Sequence, residues 1–409
     1  MNFQNPFKLF LSFEFISVLS LFSYQYKNTH PFFTSFDVTV LLNLILIPWA
    51  VVLYVRERDR SNRFWSKEVL FFVAMAGWFL LSTLWSSSHS YKIQKALCFS
   101  FYTIPAFLMG YLVISNNCER LVRLLQSLLI FALIVFAETF RVFYVKGMGS
   151  IQDIMGTNYL VTGQTLGVGL IVLIVYSLHR FVDANRKTLG LEIVLGSLFF
   201  YGLINIGGRG PFAACAISTL VLYAVFCRYS NAVKNPLLHL VLFSTVTFVL
   251  CVGLNYLFHQ QGSHFANRMM PLLNSIKADG SAMERLEFYQ SAIKAFVANP
   301  VVGLGFGGWP VYHGLSDISY HPHNIFLEIM AETGMVGLLL FVAFLTVCVQ
   351  GLSLGPILSS PLLVAACLIT LFAFMNACKT GDLHDNMLFF FALSLVAGLK
   401  RNSISIKVV

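Results

Sequence analysis

FDVTVLLNLILIPWAVVLYV (36–55) runs directly into RERDRSNR (56–63). The first stretch is as long as the roughly 20 mostly apolar residues that a helix needs to cross a bilayer. In hydrocarbon every backbone N–H and C=O must be satisfied within the segment, which leaves the helix as its form. The second stretch carries Arg56, Arg58, Arg60 and Arg63, a cluster that marks the cytoplasmic end of a span. Working outward, further apolar runs fall near 7–24, 69–85, 96–115, 121–138, 160–178, 191–206, 211–226, 238–257, 335–352, 359–377 and 387–399. The expected fold is all-α: a polytopic transmembrane helix bundle of about 12 spans. One domain covers 1–409, and a single long loop at 258–334 interrupts it.

Composition agrees. The chain is 57% hydrophobic and 11% charged, with 40 Phe and a mean hydropathy of +0.75. A soluble domain carries about 25% charged residues, so this chain lacks the polar surface to cover a globule in water. A net charge of +9 suggests nucleic acid in a soluble protein. Here the charges belong to membrane topology, and no nucleic-acid partner is expected. Of the eight Cys, Cys98, Cys215, Cys251, Cys348 and Cys367 lie in apolar runs and none forms a CxxC pair, so they read as small hydrophobes. Lys8 precedes an apolar stretch without a small-residue cleavage site, which reads as a retained first span.

Basic residues set the orientation. With the N-terminus inside, the cytoplasmic side holds Lys8, the 56–67 cluster, Arg120, Arg123, Arg180, Arg186, Lys187, Arg228, Lys234, Lys400, Arg401 and Lys407, which is 16 of 27. Both termini are then cytoplasmic and the 258–334 loop faces out. Within that loop Ser281 and Glu284 have capping-box spacing. Met283, Leu286, Tyr289, Ile293 and Phe296 recur at helical spacing, which predicts an amphipathic helix over 282–298, stopped at Asn299-Pro300 and lying on the membrane surface or over the bundle.

Four places carry candidate chemistry. GGRGP (207–211) puts Arg209 between glycines on a short outward turn, where a guanidinium fork suits phosphate oxygens; an interface anchor is the plain alternative. Arg285 lies on the loop helix, where a solvated helix charge, or an ion pair with Glu284 or Glu287, is the plain alternative. VGLGFGG (302–308) lacks the preceding strand of a dinucleotide fingerprint and reads as a flexible turn that lets the loop fold back. HPHN (321–324) places His321 and His323 at the foot of an apolar helix that Asn324 can cap. His323 is available for proton transfer. A metal site drawing on Asp382, His384 and Asp385 is the competing possibility, short of ligands.

Taken together these motifs resemble the O-antigen ligase and polymerase superfamily. The matching segments are GGRGPF (207–212), Arg285-x-x-x-Tyr289-x-x-Ala292, Asn299-Pro300-x-x-Gly303-x-Gly305-x-Gly307 and His323-Asn324-x-x-Leu327-x-x-x-Ala331-Glu332-x-Gly334-x-x-Gly337. The resemblance implies an inverting glycosyltransferase of the bacterial inner membrane with its active site facing the periplasm. It needs no cofactor and no metal. The donor is a glycan on undecaprenyl pyrophosphate, the acceptor a sugar hydroxyl of the lipid A core, and membrane lipids surround both. The family's essential residues map onto Arg209 and Arg285, as pyrophosphate ligands, and His323, as the catalytic base. His321, Asn324, Asp382 and His384 stand as possible supporting residues. A polymerase or a protein O-oligosaccharyltransferase would use the same donor. A lipid or oligosaccharide transporter is the reading from a different class, against which stand the absence of an internal repeat and the clustering of polar residues on one face.

Overall fold

The computed structural model describes residues 6–56, 64–146, 154–155, 157, 159–182, 188–229, 235–257 and 280–403. The cytoplasmic charges expected at Arg58, Arg60, Arg63, Arg186, Lys187, Lys234 and Lys407, and the 258–279 part of the expected loop, lie outside the described residues. The described chain is helical; its β-structure is one isolated bridge, Ile154 to Thr157.

Among the described residues nine helices are long and apolar enough to cross a membrane, fewer than the twelve runs suggest. Pro361–Ala377 is apolar but shorter, and Met387–Ser403 is buried without interruption from Met387 to Val396. The first expected span breaks in two, Pro6–Phe10 and Phe13–Leu21, because Ser12 accepts a hydrogen bond from Phe15 N–H at 3.1 Å and starts a new helix. Glu14, buried in that second helix, takes a two-pronged contact from Arg123 at 3.1 and 3.2 Å.

The chain divides into two compact units. The first comprises Met1–Leu42, Cys118–Leu273 and Ser353–Phe372. Its centre is Tyr159–Val182, packed by Cys118–Lys146, Leu189–Ile206 and Arg209–Tyr229, with Pro236–Leu257 against Leu189–Ile206. Lipid tails are as apolar as leucine, so membrane helices gain from close backbone approach at small residues. Gly169 provides it: a Cβ there would stand 2.7 Å from both Ala132 and Phe199. Buried His239 is bonded to Tyr223 at 2.7 Å and Ser177 at 3.1 Å.

The second unit comprises Asn43–Asn117, Asn274–Leu352 and Ala373–Val409. Lys67–Leu81 and Gly280–Ala298 both pack on Ile325–Val349, and Ile104–Leu112 packs on Met387–Ser403. Phe72 stacks on Phe107 with ring centroids 4.0 Å apart, and Phe344 lies 5.4 and 5.2 Å from them. Ile325–Val349 is broken at Gly334, whose φ of 66° interrupts the helix. Freed backbone groups find partners in 299–305: Leu304 and Gly305 donate to Ala331 O and Glu332 O at 2.9 and 2.8 Å, and Met335 donates to Pro300 O at 2.8 Å. Trp78 Nε1 donates to Thr333 O at 3.1 Å. The glycine-rich turn is therefore a packed insert rather than a flexible one. A Cβ on Gly303 would lie 2.4 Å from the Glu332 carbonyl carbon.

Candidate functional site

Asn324, in extended conformation, accepts hydrogen bonds from Phe326 and Leu327 N–H at 3.0 and 3.2 Å and caps Ile325–Val349 as expected. Its Nδ2 donates to Cys378 O at 3.2 Å, tying the cap to the turn that follows Pro361–Ala377. His323 just before it has φ 56°, a left-handed conformation that non-glycine residues hold only where their surroundings enforce it.

The two histidine rings meet edge to face with centroids 4.4 Å apart. His321 Nε2 and His323 Nδ1 are buried without hydrogen-bond partners among the described residues. Burial, then the neighbouring His323, pushes the His321 pKa down to about 3, with Asp385 pulling the other way. Burial, then the Arg285 guanidinium, brings His323 down to about 4. Both imidazoles are neutral at neutral pH.

The loop helix runs Gly280–Ala298, so Ser281 is already helical instead of capping it. Its inward face also differs from the expected stripe. Met283, Leu286 and Ile293 are 41, 48 and 47% exposed, whereas Phe288, Ala292 and Ala295 are buried with Trp309 and Ala331. Phe288 sits at the centre, its ring 5.5 Å from Trp309, 5.0 Å from His313 and 5.9 Å from His323. The aromatic ring outcompetes the more numerous aliphatics because one Phe buries more area against an aromatic pocket. Arg285 lies one turn before Phe288, on the inward face, half-buried. It makes no ion pair or hydrogen bond among the described residues, so the alternative pairing with Glu284 or Glu287 is not formed. Glu284 instead accepts from the Tyr320 hydroxyl at 3.2 Å.

Below the histidines lies a buried charge network that sequence reasoning missed. Lys95 Nζ contacts Glu328 at 2.6 Å, Glu332 at 2.8 Å and Asp382 at 3.1 Å. Asp382 also accepts from the Tyr91 hydroxyl and lies 3.1 Å from His384, which is 3.2 Å from Asp385. Leu383 N–H donates to Glu328 at 3.0 Å. Burial lowers the His384 pKa, but Asp385 and Asp382 outweigh it and hold the ring cationic, at about 9. Burial raises Asp382 despite His384. Asp382 thus lies between Lys95 and His384, and His384 between Asp382 and Asp385, so these groups are engaged with one another within the turn. Among the described residues no group of three or more His, Cys, Asp or Glu is arranged to hold a metal ion. The sequence signal was there: two carboxylates four residues apart in an apolar helix require a partner.

A second missed element is Asp317. Its carboxylate accepts from Ser88 Oγ at 2.5 Å and from the N–H groups of His89, Ser90 and Tyr91 at 2.8, 2.7 and 3.3 Å. These are the orphan donors at the start of Tyr91–Cys98. The Ser88 hydroxyl and these N–H groups hold the Asp317 carboxyl well below the usual carboxylate range.

Arg285, His321, His323, Asn324, Asp382 and His384 all lie in the second unit. Arg209 lies in the first, half-buried as the opening residue of Arg209–Tyr229, just after Gly207 ends the preceding helix at φ 71°.

Residues 194–342 match the O-antigen ligase family, over a segment that contains Arg209, Arg285 and His323. The match covers 149 of the chain's 409 residues and is a similarity of this segment to that family. The chain is a multi-pass helical membrane protein. No curated protein matches the chain.

Proposed function

We propose that the chain is an O-antigen ligase: an inverting glycosyltransferase that moves a glycan from undecaprenyl pyrophosphate to a sugar hydroxyl of the lipid A core. In this reading it resides in the bacterial inner membrane with both termini cytoplasmic and the reaction on the periplasmic face. The observation that carries it is Arg285, a half-buried guanidinium without an ion pair among the described residues, near a neutral His323, within the segment that matches the family. An unpaired cation in a partly desolvated place favours an anion, and the donor's diphosphate is one.

The reaction then needs little beyond positioning. The acceptor oxygen attacks the anomeric carbon, and the bond from that carbon to the phosphate oxygen breaks. The electron pair leaves on undecaprenyl pyrophosphate, whose added charge Arg285 stabilises. His323, neutral in the resting protein, takes the hydroxyl proton. An incoming dianion next to His323 offsets Arg285 and strengthens the base when the donor is present. One in-line displacement inverts the anomeric centre.

Reconstitution with purified undecaprenyl-pyrophosphate glycan and lipid A core tests the proposal. Glycan on the core is the expected product. Longer lipid-linked glycan identifies a polymerase, and movement across the bilayer without bond exchange identifies a transporter. The ligase reaction should run unimpaired in chelator; full loss restored by one specific ion would assign the charge stabilisation to a metal.

A further inference from the structure

Arg285 has a second cationic neighbour that the mechanism above does not use. We propose that Lys379 is a third cationic ligand for the diphosphate, holding phosphate oxygens opposite Arg285. The proposal rests on the reading of the Arg285 site as the place of the donor's diphosphate.

The turn that carries Lys379 is fixed at both ends. On one side Asn324 Nδ2 holds Cys378 O at 3.2 Å, immediately before Lys379 and immediately after His323 in the cap. On the other, Leu383 N–H is bonded to Glu328 at 3.0 Å. Lys379 N–H itself closes the helix end on Asn376 O at 2.9 Å. The backbone of residue 379 is therefore held at the foot of Ile325–Val349, where His323 and Arg285 stand.

Lys379 is half-buried, and its ammonium has no ion pair or hydrogen bond among the described residues. Nearby carboxylates are engaged elsewhere: Glu284 with Tyr320, Asp382 with Lys95 and His384, and Asp385 with His384. Burial, then the Arg285 charge, pushes the Lys379 pKa down. Two like charges are thus held near each other, partly out of water, with no anion paired to either among the described residues. An isolated pair of this kind is unfavourable, and a ligand with two negative charges relieves it. A diphosphate diester carries one charge on each phosphate. The planar fork of Arg285 can hold one phosphate, while the rotatable ammonium of Lys379 follows the other as the leaving group moves off.

Phosphate oxygens could also come from an ordinary anionic lipid headgroup, so the test has an arm for each source. Binding of inorganic pyrophosphate to the purified full-length protein in neutral detergent is measured for wild type, Lys379→Gln, Lys379→Arg and Arg285→Ala. Losing one charge-assisted contact weakens binding about tenfold to a hundredfold, so Lys379→Gln and Arg285→Ala should each show that loss and Lys379→Arg should retain most affinity. Normal binding by Lys379→Gln beside a loss in Arg285→Ala overturns the proposal and leaves the Arg285 reading intact. Normal binding by both removes that reading as well. Weaker binding of Lys379→Gln to phosphatidylglycerol vesicles, with pyrophosphate binding unchanged, makes Lys379 a lipid anchor and overturns the proposal. The wild-type protein supplies an assay independent of variant folding. Pyrophosphate should slow modification of Lys379 by an amine-reactive reagent, read by mass spectrometry, and absence of protection refutes the assignment.

Discussion

His323 and His321 are two residues apart with rings in contact, yet their surroundings separate their roles. His323 faces Phe288 and feels Arg285, whereas His321 is more deeply buried, near Asp385 and His384. We predict that His323→Ala abolishes transfer with expression and donor binding preserved, while His321→Ala reduces it less. A dead His321→Ala beside a His323→Ala with normal turnover reverses the assignment. The pH profile follows from the same burial. Free His323 stays neutral down to about pH 4, so the acid limb of kcat/KM should fall near 4 rather than near the usual 6.5. A limb at 6.5 or above in kcat/KM would exclude His323 as the base. Arg285 is tested by Arg285→Lys on the lipid-linked donor. A point charge does not reproduce a bidentate fork, and loss of the contact costs about 1.5–3 kcal/mol, or tenfold to a hundredfold in rate. Near-normal turnover would return Arg285 to a solvated helix charge.

Between residues and the whole stand the elements that aim them. Asp317 caps Tyr91–Cys98 from a distant loop, clipping the segment before HPHN to the helix that carries Lys95. Its folded pKa is depressed, so the clip's stabilisation is complete above the ordinary value of 3.8 and is lost only as pH falls through the lower folded value. We predict that Asp317→Ala accelerates hydrogen exchange over 314–324 at neutral pH and lowers turnover; unchanged exchange would show that the loop is held without it. The glycine-rich insert is the second such element. Gly305 has φ 85°, and a Cβ there would sit 2.4 Å from Ser86 Cα, so Gly305→Ala meets both backbone strain and a clash with main chain. The expected loss is about 1–3 kcal/mol from strain alone, read as a lower melting temperature. Gly77→Ala, with nothing within 4 Å, is the control.

For the molecule as a whole, the Lys95 network joins Tyr91–Cys98, the start of Ile325–Val349 and the Cys378–Asn386 turn. Removing one partner of a buried ion network costs about 3–5 kcal/mol, so Lys95→Met should lower the melting temperature sharply in detergent; an unchanged melt would show the carboxylates satisfied without it. His384 adds a pH signature. Its folded pKa, about 9, exceeds the ordinary 6.5, so its stabilisation is full below pH 6.5 and disappears as pH rises through 9. Melting temperature should fall over that window, and His384→Gln should flatten the fall. The membrane class and most spans were legible in the chain because lipid imposes a one-dimensional rule: length and apolarity decide a span whatever its neighbours. The order of GGRGPF, Arg285, HPHN and Gly334 was equally legible, since each motif is local. What the sequence could not state is which face of a helix turns inward. Met283, Leu286 and Ile293 satisfy helical periodicity as well as Phe288, Ala292 and Ala295 do, and only packing against Trp309 and Ala331 chose between them. The pairing of Lys95 with Glu328, Glu332 and Asp382 spans more than 230 positions. Local pattern carries no information about such a contact; the cost of burying a charge alone demands a partner, and the tertiary fold decides which one it finds.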